Sequence, residues 1–193
     1  AGIDFNATPP VPLLDGQLTA YEGCATIADG NGDLVLYCNG GPLWTTPPWN
    51  VGAVWDRTHA IMPNGDLSAA GGCNSAAQAC LIAQDPGDPD RYYIFTTDCQ
   101  EHAMAGGLRY NVVDMTLNGG NGDVVSSGTL LQPNINESIT GIRHANGQDV
   151  WILVHDNGGS TFFAFLLSGT GITGPVTSSV GPAIGQQAGQ LAA

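Results

Sequence analysis

The chain has no lysine, and its only basic side chains are four arginines, Arg57, Arg91, Arg109 and Arg143. Nucleic-acid binding needs a basic footprint to neutralise phosphates, so that class of function is excluded. A net charge of −13 equally disfavours an anionic membrane surface and leaves cations as the natural small partners. Glutamate is nearly as scarce, with three residues (Glu22, Glu101 and Glu137) against 14 aspartates. Glu and Lys populate helix surfaces whereas Asp favours turns and caps, so this imbalance argues against helices. No apolar run is long enough to span a bilayer. The Cys-x-x-Cys spacing of a zinc ribbon and the Gly-x-Ser-x-Gly nucleophile elbow are both missing.

What is present is glycine, proline and a repeat. The 28 Gly and 12 Pro of 193 residues punctuate short apolar runs. A strand–turn–strand unit recurs about every 56 to 59 residues. The first unit is Cys24–Asp29, a Gly30-Asn31-Gly32 turn and Asp33–Tyr37; the second is Ala79–Ala83, a turn at Pro86–Asp90 and Tyr92–Thr96. The third is Ser138–Ile142, a turn at Asn146-Gly147 and Asp149–Val154. Apolar runs joined by Asn-Gly or a Gly/Asp cluster signal hairpins. Further strands at 107–113, 123–131, 161–167 and 176–180 make four per unit, and Ala53–Asp56 supplies the third strand of the first. The expected architecture is therefore an all-β chain, a β-propeller of four-stranded antiparallel blades at about 21–66, 77–131 and 137–181. A further blade is expected to begin at 188–193, so the ring is incomplete and is finished by more of the same polypeptide or by another chain. A β-sandwich is the competing architecture. Residues 68–77 form a small-residue linker, and Pro42–Asn50 a Pro/Trp-rich surface loop.

Cysteines stand at 24, 38, 73, 80 and 99. Opposition across hairpins suggests the pairs Cys24–Cys38 and Cys80–Cys99, as suits an exported protein, with small buried thiols as the other reading. The chain opens at Ala1 rather than Met, as expected after removal of a signal peptide.

Candidate chemistry is thin. Asp29-Gly-Asn31-Gly-Asp33 has the alternating oxygens of a calcium loop, and the same residues are also what a tight turn demands, which is the weightier reading. Trp44 and Trp49, between prolines, suit stacking on sugars or a protein partner, or packing against a neighbouring blade. The four histidines read as edge or turn residues, since no triad spacing is visible. The three glutamates are far apart in sequence. A glycosidase pair could assemble from them in space, but Glu22 and Glu137 precede the first strand of their units alike, which suggests a repeated structural role. No catalytic residue is assigned.

Several segments carry a family likeness: Gly2–Phe5, Asp15-Gly16, Glu22–Asp29, Val54–His59 with Met62–Gly65, Tyr92–Phe95, Leu108–Val124, and His144–Gly147 followed by Trp151. Through these the chain resembles the N-terminal propeller-like region of large secreted Bacteroidota surface proteins that carry type IX secretion sorting domains. The resemblance implies further blades, immunoglobulin-like modules and a C-terminal sorting domain downstream. It also implies a secreted or cell-surface, non-catalytic role in adhesion or an extracellular filament. A carbohydrate-binding or carbohydrate-active propeller is the alternative. The Pro42–Asn50 loop, the extra cysteines and the missing lysine depart from the family pattern, so ligand preference does not transfer.

Overall fold

The abundant aspartates pin the turns. Asp29 Oδ1 accepts the amides of Asn31 (2.8 Å) and Asp33 (3.0 Å), while Gly32 takes the left-handed conformation at φ 86° that closes the reversal. Asp56 Oδ1 holds the amides of Thr58 and Ala60, Asp85 that of Gly87, and Asp114 that of Thr116. A short carboxylate bonded to a backbone N–H two residues on is a turn former, and it explains why Asp rather than Glu dominates.

The computed structural model describes residues 2–44, 46–47, 50–184 and 190–192. Between the turns the apolar segments run as strands, and the expectation of an all-β chain holds. A short hairpin pairs β1 (Gly2–Asp4) with β2 (Val11–Leu13). Three four-stranded antiparallel meanders follow, each in sequence order. The first is β3 (Ala25–Ala28), β4 (Leu34–Cys38), β5 (Ala53–Asp56) and β6 (Ile61–Asp66). The second is β7 (Cys80–Asp85), β8 (Asp88–Thr97), β9 (Leu108–Asp114) and β10 (Asp123–Gln132). The third is β11 (Ile135–Arg143), β12 (Val150–Asp156), β13 (Thr161–Ser168) and β14 (Gly171–Ser179). The only helical turns among the described residues are 3-10 turns at Gln100–His102 and Asn118–Gly120. Among the described residues the sheets close no ring. Residues 190–192 carry no strand, and the rest of the segment where a further blade is expected lies outside the described residues.

Strand alternation explains the packing, because successive side chains point to opposite faces. On β8, Ile94 joins Leu36, Val54, Met62 and Val113 in a core between the first and second meanders. The next residue, Phe95, joins Leu108, Ile139, Ile152, Phe165 and Leu167 between the second and third. The middle sheet is thus buried on both faces, which is why its inner strands are almost continuously apolar. Three sheets meet in succession, rather than the two of a sandwich. Burying a phenylalanine such as Phe95 stabilises the fold by about 1.5–3 kcal/mol.

Both expected disulfide pairs are corrected. The bond formed is Cys73–Cys99, with Cα atoms 5.6 Å apart, and Cys24, Cys38 and Cys80 are free thiols. Cys80 faces Thr96 across the ladder, whereas Cys99 lies beyond the end of β8. There the 68–77 linker doubles back, its Cys73 amide bonded to the Thr97 carbonyl (3.1 Å), and this brings Cys73 alongside. Cys38 pairs with Ala25, so Cys24 falls one residue outside the ladder and is exposed while Cys38 is buried.

The return path of the linker requires glycine. A Cβ at Gly72 would overlap the Gly40 carbonyl oxygen and stand 2.9 Å from Thr96 Cβ. Gly72→Ala is therefore expected to lower the unfolding free energy by about 2–3 kcal/mol in urea titration. An unchanged midpoint would show that the two backbones do not approach this closely.

Candidate functional site

Two polar constellations emerge, one at a cavity on the first meander and one where the three meanders meet. The cavity of about 310 Å³ is lined by Gln17, Thr19, Val51, Trp55, His59 and Ile61. β4 and β5 set its aromatic wall: their register places Tyr37 opposite Trp55, and the rings stack at 5.3 Å with an interplanar angle of 7°. The turn after β5 holds His59 at φ 67°, in the left-handed region unusual for a non-glycine residue, and turns its ring toward the cavity. The Tyr37 hydroxyl accepts the Gln17 backbone amide (3.2 Å) and shares a hydrogen bond with His59 Nδ1 (3.1 Å); His59 Nε2 then meets Asp15 Oδ2 at 3.3 Å. Burial, with the nearby Asp56 and Asp15 carboxylates, raises the Tyr37 phenol above its ordinary pKa despite the opposing Gln17 bond. A phenol held neutral is a hydrogen-bonding group rather than a nucleophile. An apolar wall with a few convergent polar groups suits binding of a small neutral ligand.

The second constellation unites all three glutamates. Glu137 is 2% exposed, and its carboxylate accepts the backbone amides of Gln100 (2.7 Å, Oε1) and Ala77 (3.1 Å, Oε2). Glu101 accepts the Ser75 hydroxyl at 2.8 Å. Burial, and then the charges of Glu101 and Glu22, raise the Glu137 carboxyl above its ordinary pKa against the pull of the two amides. A raised carboxyl among other carboxyls is how a general acid is prepared, but both Glu137 oxygens are already occupied by the scaffold. None of the three glutamates lines the cavity.

The other residues singled out from sequence are dispersed. Asp29 Oδ1 is occupied by the Asn31 and Asp33 amides, which hold its carboxyl below the ordinary range, so Asp29, Asn31 and Asp33 are wired as a turn. Trp44 is exposed and outside the cavity, and Trp49 lies outside the described residues. Of the histidines, His155 is not an edge residue: it is 1% exposed and packs edge-on against Phe162 at 4.5 Å. Sequence reasoning also passed over Trp55 and His59 as site residues. Their signal was Trp55 at an inward position of a short strand that leads into a turn.

Among the described residues, Cys73, Asp98, Cys99 and His102 form the one compact group of metal-type ligands, and the disulfide takes both sulfurs. The group acts instead as a staple. Asp98 receives the amides of Cys99 and Gly106; His102 donates to Asp98 Oδ1 (2.7 Å) and to the Leu43 carbonyl (2.6 Å). This ties the root of the Pro42–Asn50 loop to the second meander. Burial works against the His102 charge, but the Leu43 carbonyl and the Asp98 carboxylate outweigh it and raise the pKa.

A raised folded-state pKa favours folding while both states are protonated, that is, below the ordinary value of about 6.5, and the gain is lost as pH climbs through the folded value. The Tm advantage of the wild type over His102→Gln is therefore expected to be largest below about pH 6 and to shrink above about pH 6.5. A pH-independent difference in thermal melts would show that His102 is not charged in the staple. Comparison with known proteins finds no matching family model, curated protein or solved structure.

Proposed function

We propose that the chain is a non-catalytic module of a secreted or cell-surface protein, acting in adhesion or within an extracellular filament. In this reading the three meanders are consecutive blades of an incomplete β-propeller, continued by further blades of the same polypeptide or by another chain. The observation that carries the non-catalytic reading is the Glu137 carboxylate: the most acid-like group of the glutamate cluster has both oxygens bound to backbone amides. The Cys73–Cys99 disulfide and the net charge of −13 support export. The outermost strand, β14, is exposed along most of its length, with Val176 at 59%. An uncovered apolar edge of this kind fits a module that is flanked in its assembly. The likeness to Bacteroidota surface proteins points the same way. No helix among the described residues is long and apolar enough to cross a membrane.

A second reading, carbohydrate binding, is favoured by the Trp55–His59 cavity with its aromatic wall and polar rim. The two readings are separated by a glycan array and a glycosidase panel run on the intact protein. Binding to a glycan, to a surface or to other copies without turnover is expected. Turnover that disappears in Glu22→Gln and in Glu137→Gln would overturn the non-catalytic reading; binding of a glycan lost in His59→Ala would assign it to the cavity.

A further inference from the structure

Three free cysteines that are distant in sequence converge at the junction of the first and second meanders. Cys38 ends β4 and is fully buried; Cys80 begins β7 and is 8% exposed. The Cys80 thiol donates to the Cys38 carbonyl at 3.3 Å, and the Cys38 sulfur receives the Gly40 amide at 3.2 Å. The backbones there are in close approach, since a Cβ at Gly40 would stand 2.8 Å from Ala79 Cβ. Cys24, just before β3, is exposed, and the adjacent Ala25 pairs with Cys38 across the ladder. Its neighbour Gly23 packs against Ala76 and Ala79, and the Gly23 amide bonds the Ala76 carbonyl at 3.1 Å.

We propose that these three residues form a thiol–disulfide exchange site whose end product is a Cys38–Cys80 disulfide joining the first two meanders. Cys80 Sγ already lies against the Cys38 backbone, so the pair needs little movement to bond, but neither can meet an external oxidant, because both are buried. Cys24 supplies the exposed sulfur. Its thiolate attacks a low-molecular-weight disulfide RSSR, forming Cys24–S–S–R and releasing one RSH. Cys38 attacks the Cys24 sulfur and releases the second RSH. Cys80 then attacks the Cys38 sulfur and returns Cys24 to the free thiol. In sum, two protein thiols are oxidised by two electrons, RSSR is reduced to two RSH, and the two protons leave with the released thiols. The sulfurs of Cys24, Cys38 and Cys80 do not gather within the 4.8 Å span of a compact metal-ligand group, which favours exchange over metal binding. Burial holds the Cys24 thiol above its ordinary pKa, and the Cys38 contact followed by burial does the same for Cys80, so the reaction should quicken with rising pH.

The test is incubation of the full chain, with Cys73–Cys99 intact, in oxidised glutathione at about pH 8.5, a pH near the ordinary thiol value. Acid quenching, alkylation and non-reducing peptide mapping then follow the products. The expected result is a Cys38–Cys80 linked peptide, transient glutathione on Cys24, and a Tm raised by roughly 5–10 °C, the scale of a typical added cross-link. Cys24→Ser, at an exposed position, should slow the cross-link at least about tenfold without changing its identity. Wild-type protein whose Cys38 and Cys80 both remain alkylatable at equilibrium, or a stable Cys24–Cys38 end product, would overturn the proposal. An unaltered rate in Cys24→Ser would overturn the relay.

Discussion

Neighbouring meanders are joined by side chains that stand in for missing backbone partners, and the rest of the structure depends on this. A four-stranded meander pairs its own strands but leaves the residues before β7, those after β8 and the register break of β11 between Ile135 and Ile139 without a ladder. At the second and third meanders those residues are bonded across the junction. The Glu137 carboxylate takes the amides of Ala77 and Gln100, and the Gln78 amide group takes those of Ile139 and Leu191 while donating to the Leu191 carbonyl. The Gln78 backbone amide returns a bond to the Glu137 carbonyl. Buried donors left unpaired would cost about 1–3 kcal/mol each, so a carboxylate is kept here although burial and two other glutamates oppose its charge.

These polar joints set the spacing at which the apolar faces meet. Once Ala77 and Gln100 are held to the third meander, β8 lies with Ile94 toward one core and Phe95 toward the other. The Cys73–Cys99 bond and the His102 bridge to Leu43 then hold the linker and the start of the Pro/Trp loop close to the end of β8. At the first meander, Leu18 and its neighbours cover the Tyr37–Trp55 stack and leave the cavity open beside it. Titratable groups are thus drawn into holding the scaffold.

The strands were legible because their signal is local: period-two alternation between Asp/Asn/Gly turns needs only a few consecutive residues. The junction was half legible: a structural role was expected for Glu137, but it stands inside β11 rather than before it as Glu22 stands before β3, and its partners, the Ala77 and Gln100 amides, carry no sequence signal. The disulfide was misread for a related reason. Hairpin opposition predicts Cys80–Cys99, whereas the bond depends on where the 68–77 linker travels, and that path is set by contacts between Gly72 and Gly40. Asp29-Gly-Asn-Gly-Asp33 fits both a cation loop and a turn in sequence, and the turn is the part the structure displays, with the Asn31 and Asp33 amides on Asp29 Oδ1. His59 and Trp55 were passed over because a cavity is made by the covering arm as much as by the strand.

The most direct measurement is native-state hydrogen exchange at the Ala77 and Gln100 amides in the wild type and in Glu137→Ala. If the carboxylate joins the second and third meanders, both amides are protected in the wild type. In the variant they should exchange roughly tenfold to hundredfold faster, beyond any change at Leu36 in the first-meander core. Wild-type protection of both amides in Glu137→Ala would contradict the account, because the junction would then hold without the group assigned to it.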